Sequence, residues 1–214
     1  MTAEKPVEDF IEVLRRSAHA FGVQLSAETE KRLGDYYKIV SRWNTRLHLV
    51  APCSAVEFAT RHVLESLAAL PFLSTLARVL DVGSGAGLPV IPCLIMRPDI
   101  QATLVEASQK KAVFLREALR LVEANERARV IAKRFEETPA PEADFVTCRA
   151  IERFTEKFAE LVAWSPPSST LLFFGGTALQ EQIEKAGLSY QSVLIPESER
   201  RFLFIIERQA FNSR

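Results

Sequence analysis

The chain has no charge excess to interpret: 27 lysines and arginines face 27 aspartates and glutamates in 214 residues. A general polyanion-binding surface cannot be inferred from that total, so any basic face must come from local clustering. Cysteine is also scarce. Cys53, Cys93 and Cys148 are far apart and form no CxxC pair, which excludes a disulfide framework and a cysteine-built metal site and fits reduced thiols. No run of about 18 apolar residues occurs, and the opening MTAEKPVEDF lacks the basic-then-apolar order of a signal peptide. A cytoplasmic protein without metal or membrane attachment is the expectation. Internal repeats and low-complexity tracts are missing too. What remains, 48% hydrophobic and 25% charged, suffices for one substantial core with an appended element.

Two rhythms divide the chain. The first is helical. Residues 6–21 place Val7, Phe10, Ile11, Leu14, Ala18 and Phe21 near a 3.6 period ahead of Gly22 as a stop. Residues 27–47 repeat the pattern through Leu33, Tyr36, Tyr37, Val40, Trp43 and Leu47 behind Ser26 as a cap. Ser54 and Glu57 form a capping box that opens a third helix reaching Leu70. From Arg78 onward, short β-rich runs (RVLDV, ATLVE, ARVIA, ADFVTC, TLLFF) alternate with amphipathic segments at about Leu88, 108–123, 152–164 and 178–186. That alternation predicts parallel strands with crossover helices in a doubly wound α/β sheet. The last two runs, SYQSVLI and RFLFIIE, are joined by PESER, too short for a crossover, and so predict an antiparallel pair. The expected fold is a Rossmann-like seven-stranded methyltransferase sheet closed by a terminal hairpin, with a helical extension over 1–75 packed on a methyltransferase domain over 76–214.

Three of the eight glycines, Gly83, Gly85 and Gly87, crowd into VLDVGSGAGLP directly after the first strand. Such a turn sits where ligands bind in a doubly wound sheet, and glycine permits tight curvature and close approach. A dinucleotide fingerprint would read GxGxxG, but here the third glycine comes one residue early and Leu88 takes its place. Asp81 precedes the turn and Glu106 ends the second strand, near the spacing of a ribose-binding carboxylate. A ligand with a ribose but no pyrophosphate beside a GxGxG turn is S-adenosylmethionine. Asp81 is then expected near its amino group, Glu106 on the ribose, and the adenine near Arg134, Phe135 and Glu136.

The chain resembles the small-subunit (16S) ribosomal RNA guanine-N7 methyltransferase family, also called glucose-inhibited division protein B. The resemblance rests on RWN at 42–44, RHVLES at 61–66, DVGSGAGLPVIP at 81–92, RP at 97–98, KKAVFLRE at 110–117, RFEE at 134–137, CRA at 148–150 and ERRFLFII at 199–206. It spans residues 25–208 in unbroken order. It implies methyl transfer from S-adenosylmethionine to N7 of one guanosine. The cofactor set it implies is Asp81, Gly83, Ser84, Gly85, Gly87, Leu88, Glu106, Arg134, Phe135 and Glu136, with His62 and Arg149 as candidate catalytic residues and Arg149 also able to meet the cofactor carboxylate. Three positions depart from the pattern: Gly175 and Gly176 stand where Lys-Gly is expected, Cys148 where serine is usual, and His48 where asparagine is common. Pro89 and Pro92 are expected to interrupt the first turn of the helix that follows the glycines.

Guanine N7 presents an in-plane lone pair, so its attack on a sulfonium methyl needs alignment rather than a general base. A guanidinium against the purine would oppose the charge that develops there, which favours Arg149 on a carboxylate or phosphate. A thiolate role for Cys148, an acid–base role for His62 and a stacking role for Trp43 are rivals; a buried thiol, a hydrogen-bonded imidazole and a core indole are the plainer readings. The candidate RNA face comprises Arg61, Arg97, Lys110, Lys111, Arg200 and Arg201, with Arg116, Lys133, Arg134 and Arg149 as further cations of the same positive surface. With no basic excess, weak binding to naked RNA and dependence on a ribosomal particle are expected. A methyltransferase of a small molecule or protein, and a noncatalytic RNA-binding module, are the alternatives.

Overall fold

The computed structural model describes residues 5–149 and 154–208. Helix α1 (Lys5–Ser17) runs into a 3-10 turn, Ala18–Phe21, that Gly22 closes in the left-handed region at φ 67°. Helix α2 (Ala27–Leu47) opens on Ser26, whose Oγ accepts the Thr29 amide. It ends on His48 at φ 47°, a left-handed cap that asparagine or glycine fills more readily. The third helix is one rod over 55–67, made of α3 (Ala55–Glu57), a π segment (Phe58–Leu64) and α4 (Glu65–Leu67). The Ser54–Glu57 capping box is present. The sequence pattern runs this helix to Leu70; instead Leu70–Phe72, with Pro71 in its first turn, forms a separate 3-10 turn.

Seven strands follow: β1 (Arg78–Val82), β2 (Gln101–Val105), β3 (Ala128–Ile131), β4 (Phe145–Cys148), β5 (Thr170–Gly175), β6 (Gln191–Leu194) and β7 (Phe202–Ile206). They lie in the order β3-β2-β1-β4-β5-β7-β6. The first five are parallel, while β7 runs antiparallel to both β5 and β6, as the short PESER connection requires. The order reverses at β1, so the crevice beyond its carboxyl end lies between β2 and β4.

Helices α5 (Val90–Met96), α6 (Gln109–Leu121), α7 (Phe154–Trp164) and α8 (Thr177–Lys185) cross over between strands. The expected start of α7 at Glu152 lies outside the described residues. Helix α5 begins at Val90 rather than at Leu88, with Pro89 at its cap. Pro92 is tolerated at the third position because its missing amide hydrogen would have no intrahelical acceptor there. The expected interruption therefore takes the form of a delayed start.

Each face of the sheet has its own core. One joins Leu80, Val82, Val146 and Phe173 to Phe158 and Leu161 of α7 and Ile183 of α8. The other joins Phe10, Leu33, Tyr36, Phe58 and Val63 to Ile91, Leu94, Phe114 and Leu115 of α5 and α6. Residues of α1, α2 and the rod therefore share a core with two crossover helices. Trp43 belongs to this layer, packed edge-on against Phe114 at 6.1 Å. From α2 a fully buried tyrosine, Tyr36, donates its hydroxyl hydrogen to the Ala86 carbonyl at 2.8 Å, bracing the glycine turn from the helical layer. Tyr36→Phe strands that buried carbonyl, and urea unfolding is expected to lose about 1–2 kcal/mol; an unchanged midpoint would remove Tyr36 as a brace.

Candidate active site

The glycine turn is shaped by where its amides find acceptors. Those of Gly83 and Ser84 both donate to the Val105 carbonyl, at 2.9 and 3.3 Å, binding the end of β1 to the end of β2. Gly85 adopts φ 53° and Gly87 φ 85°. At Gly87 space adds to conformation, because a Cβ there would lie 2.3 Å from Ile91 Cδ1 and 3.2 Å from Leu115 Cδ2.

Two carboxylates flank this turn in different environments. Glu106 accepts the Gly85 amide on Oε2 and the Ser108 amide on Oε1, both at 2.8 Å. Each oxygen keeps a second lone pair. Asp81, 1% exposed, accepts the Thr147 hydroxyl on Oδ1 at 2.7 Å, while Oδ2 has no hydrogen-bond partner among the described residues. Burial pushes its carboxyl up to about 7, and the nearby Glu106 charge acts in the same direction against the Thr147 hydrogen bond. An unpartnered buried oxygen of this kind suits a cationic or hydrogen-bond-donating ligand atom.

Beside the turn opens a cleft of about 530 Å³ lined by Val82, Gly83, Gly85, Glu106, Arg134, Phe135 and Glu136, with Leu49, Lys111, Lys133 and Lys157 around them. Phe135 stands edge-on to Trp164 at 5.4 Å, under Lys157, which also pairs with Glu136. Five residues assigned to the cofactor from sequence do not line this cleft: Asp81, Ser84, Gly87, Leu88 and Arg149. Ser84 is buried and donates to the Asp81 carbonyl; Gly87 and Leu88 are buried too and shape the turn from within.

The candidate catalytic pair lies apart from that cleft. Arg149, its side chain 16% exposed, donates through Nη1 to the His62 carbonyl and Ser66 Oγ, each at 3.1 Å, and through Nη2 to the Arg61 carbonyl. It thereby pins the end of β4 to the helical rod. Its Nη2 also lies 3.4 Å from His62 Nδ1 and 3.4 Å from Glu65 Oε2. Burial, reinforced by the charges of Arg149, Arg61 and Arg201, holds the His62 imidazolium down at about 4. His62 is neutral at physiological pH. Glu65 is buried between Arg149 and Arg201; burial raises its carboxyl and the two arginines oppose that shift. Cys148 is fully buried within the core of the opposite face, which fits the plainer reading of that thiol.

The candidate RNA face is brought together only in part. Lys110 and Lys111 open α6 beside Glu106, and Arg200 and Arg201 precede β7 at the same carboxyl edge of the sheet. Arg61 is exposed on the rod, 3.8 Å from Glu57. Arg97 lies away from the others: it follows α5 at the opposite edge, chelates Asp99 at 2.7 Å through Nε and Nη2, and caps the Leu73 and Ser74 carbonyls. After β5, a Cβ at Gly175 would lie 2.9 Å from Leu179 Cβ, and one at Gly176 would lie 3.1 Å from the Arg200 carbonyl. The loop that carries two arginines thus lies against Gly176, the residue after the position where a lysine was expected. Sequence reasoning missed Tyr36, Glu65, Thr147 and Lys157. Only Glu65 carried a signal, inside RHVLES.

The sheet order with its antiparallel β7 places this chain in the fold of S-adenosylmethionine-dependent methyltransferases. A SAM-dependent methyltransferase from Aquifex aeolicus superposes with a TM-score of 0.57 at 16% identity, covering 80% of this chain and 98% of that one. The mitomycin 7-O-methyltransferase MmcR superposes at 0.58 with 15% identity, covering 94% and 67%. Within that class the profile of rRNA small subunit methyltransferase G matches residues 29–204. Ribosomal RNA small subunit methyltransferase G of Neisseria gonorrhoeae is 37% identical over 155 residues, 72% of each chain, and that of Sorangium cellulosum is 37% identical over 187 residues, 85% of this chain and 77% of that one. The chain belongs to the rRNA small subunit methyltransferase G family.

The raised Asp81 carboxyl sets a pH dependence in the ligand-free protein. Its folded value near 7 exceeds the ordinary 3.8, so its contribution is fully present below about pH 4 and is lost as pH rises through 7. His62, held low, runs the other way over a similar range, so the comparison must be between variants. In Asp81→Asn the fall from pH 4 to 7 is expected to shrink by up to about 4 kcal/mol, read from unfolding midpoints across pH. Parallel wild-type and variant profiles would refute the assignment.

Proposed function

We propose that this chain transfers a methyl group from S-adenosylmethionine to N7 of a guanosine in small-subunit (16S) ribosomal RNA, with the 76–214 unit holding the donor and the 1–75 helices bracing it. The observation that carries this reading is the pairing of Glu106 with the Gly85 amide above the unpartnered Asp81 oxygen, in a chain of this family. The residues present fit the donor. Glu106 offers two preset acceptors for vicinal ribose hydroxyls, Asp81 an acceptor for the amino group, and Phe135, with Arg134 and Glu136, a wall for the adenine. When bound, the donor supplies a methyl group already activated on sulfonium.

What the protein adds is alignment and exclusion of water. N7 carries no proton, so no general base is required, and the neutral, hydrogen-bonded His62 fits that requirement. Arg149 and His62 act as positioning residues: Arg149 is occupied by the Arg61 and His62 carbonyls, and the imidazole accepts from it. Recognition of RNA falls to Arg61, Lys110, Lys111, Arg200 and Arg201. A zero total charge favours a partly assembled ribosomal particle over naked RNA, and an aqueous cytoplasmic setting fits a chain in which no described helix is long and apolar enough to cross a membrane.

Labelled donor is expected to methylate small ribosomal subunits lacking the modification in preference to naked RNA, with the label mapping to one guanine N7. Transfer only to metabolites or proteins would overturn the acceptor, and failure to bind the donor would leave a noncatalytic module. Separately, Glu106→Ala is expected to weaken donor binding roughly 10- to 100-fold by calorimetry, as loss of a charged acceptor implies; unaltered affinity would remove Glu106 from the site.

A further inference from the structure

The carboxyl end of the rod holds a charge cluster that does not line the donor cleft. Glu65, only 3% exposed, stands between two guanidiniums, with Oε1 3.2 Å from Arg201 Nε and Oε2 3.4 Å from Arg149 Nη2. Glu65 Oε2 and Arg201 Nε are both buried without a hydrogen-bond partner among the described residues. Removing three charges from water with incomplete hydrogen bonding is a poor way to stabilise a fold, so stability does not account for the trio. With His62 neutral, the cluster carries one positive charge in excess.

The two arginines differ in what they have left to offer. Arg149 spends its Nη donors on two carbonyls and a hydroxyl. Arg201 has its side chain 31% exposed, and neither of its Nη atoms makes a hydrogen bond among the described residues. Its backbone is fixed nonetheless: the amide donates to Ser198 Oγ at 3.0 Å and the carbonyl accepts the Ile195 amide at 2.9 Å. A guanidinium on a rigid loop, held at Nε by a buried carboxylate and open at its far end, presents a planar fork to an oxyanion.

Position decides which oxyanion. The donor cleft is lined from β1, β2 and the segment after β3, whereas Arg201 precedes β7, three strands from β1 in the order β1-β4-β5-β7. At about 4.8 Å per strand that is roughly 14 Å away along the same carboxyl edge of the sheet, beyond a group held in the donor cleft. Resting on the function proposed above, we propose that Glu65 is a positioning residue that aims Arg201 at a backbone phosphate of the acceptor RNA, while Arg149 ties the carboxylate to the end of β4. Arg201 is the phosphate-contacting member of the trio.

The test measures methyl transfer to small ribosomal subunits lacking the modification, over a range of salt, with donor affinity measured in parallel. Arg201→Ala is expected to raise KM for the subunits about tenfold, to change kcat far less, to leave donor affinity intact, and to reduce the salt slope of log KM by about one. Glu65→Gln, which keeps the shape and loses the charge, is expected to reproduce the KM change, and the double variant is expected to be no worse than Arg201→Ala alone. Glu65→Asp restores part of the loss. An unchanged KM and salt slope in Arg201→Ala, a loss of donor affinity in that variant, or additive effects in the double variant would each overturn the proposal. Should Glu65→Gln not fold, the salt slopes of Arg201→Ala and Arg201→Lys decide: retention in Lys and loss in Ala supports the phosphate contact, and equality of both with wild type refutes it. Wild-type protein that methylates no subunit would instead overturn the function itself.

Discussion

Five residues, 83–87, leave the sheet with backbone polar groups that neither strand nor helix can satisfy, and the remainder of this edge is organised around supplying them. Val105 gives its carbonyl to the Gly83 and Ser84 amides, Glu106 gives a carboxylate oxygen to the Gly85 amide, and Tyr36 gives a hydroxyl to the Ala86 carbonyl. These partners come from β2, from the residue after it and from a helix some fifty residues earlier. The turn is therefore a joint between layers, held on several sides. Removing the Tyr36 hydroxyl leaves the buried Ala86 carbonyl without that partner.

That joint explains the helical layer. Residues of α1, α2 and the rod bury Phe10, Tyr36 and Phe58 against α5 and α6, so they cover the sheet face on which the glycine turn is braced. The rod widens to π winding over Phe58–Leu64, and within that stretch the carbonyls of Arg61 and His62 meet the Arg149 guanidinium. Local widening of this kind is often found where a helix serves a site. Arg149 thus ties the end of β4 to the helices.

Much of the fold was legible in the sequence because it follows from periodicity and turn chemistry. The change from a 3.6 rhythm to short apolar runs marked the start of the sheet, and PESER was too short for anything but an antiparallel return. The glycine turn, Glu106 and Phe135 were legible because spacing after a strand has geometric meaning. Arg97 stands apart from the other cations because a cation in a motif carries no sign of which edge of the sheet it reaches; here it caps the carboxyl end of α5. Tyr36 looked like one more apolar position on a helical stripe, and its hydroxyl mattered only once Ala86 lay above it. Partnerships across 50 to 90 residues, such as Arg149 with the rod, arise from packing and leave no local trace.

The two amides that clasp Glu106 also bear on kinetics. A long acidic side chain ordinarily loses rotamer freedom when it captures a ligand, and that loss slows or weakens capture. Here folding has already immobilised it, with its oxygens aimed across the cleft. Under the proposed function, a donor bearing neighbouring hydroxyls meets a rigid receptor, so compounds with and without those hydroxyls should arrive at similar speed and differ chiefly in how long they stay.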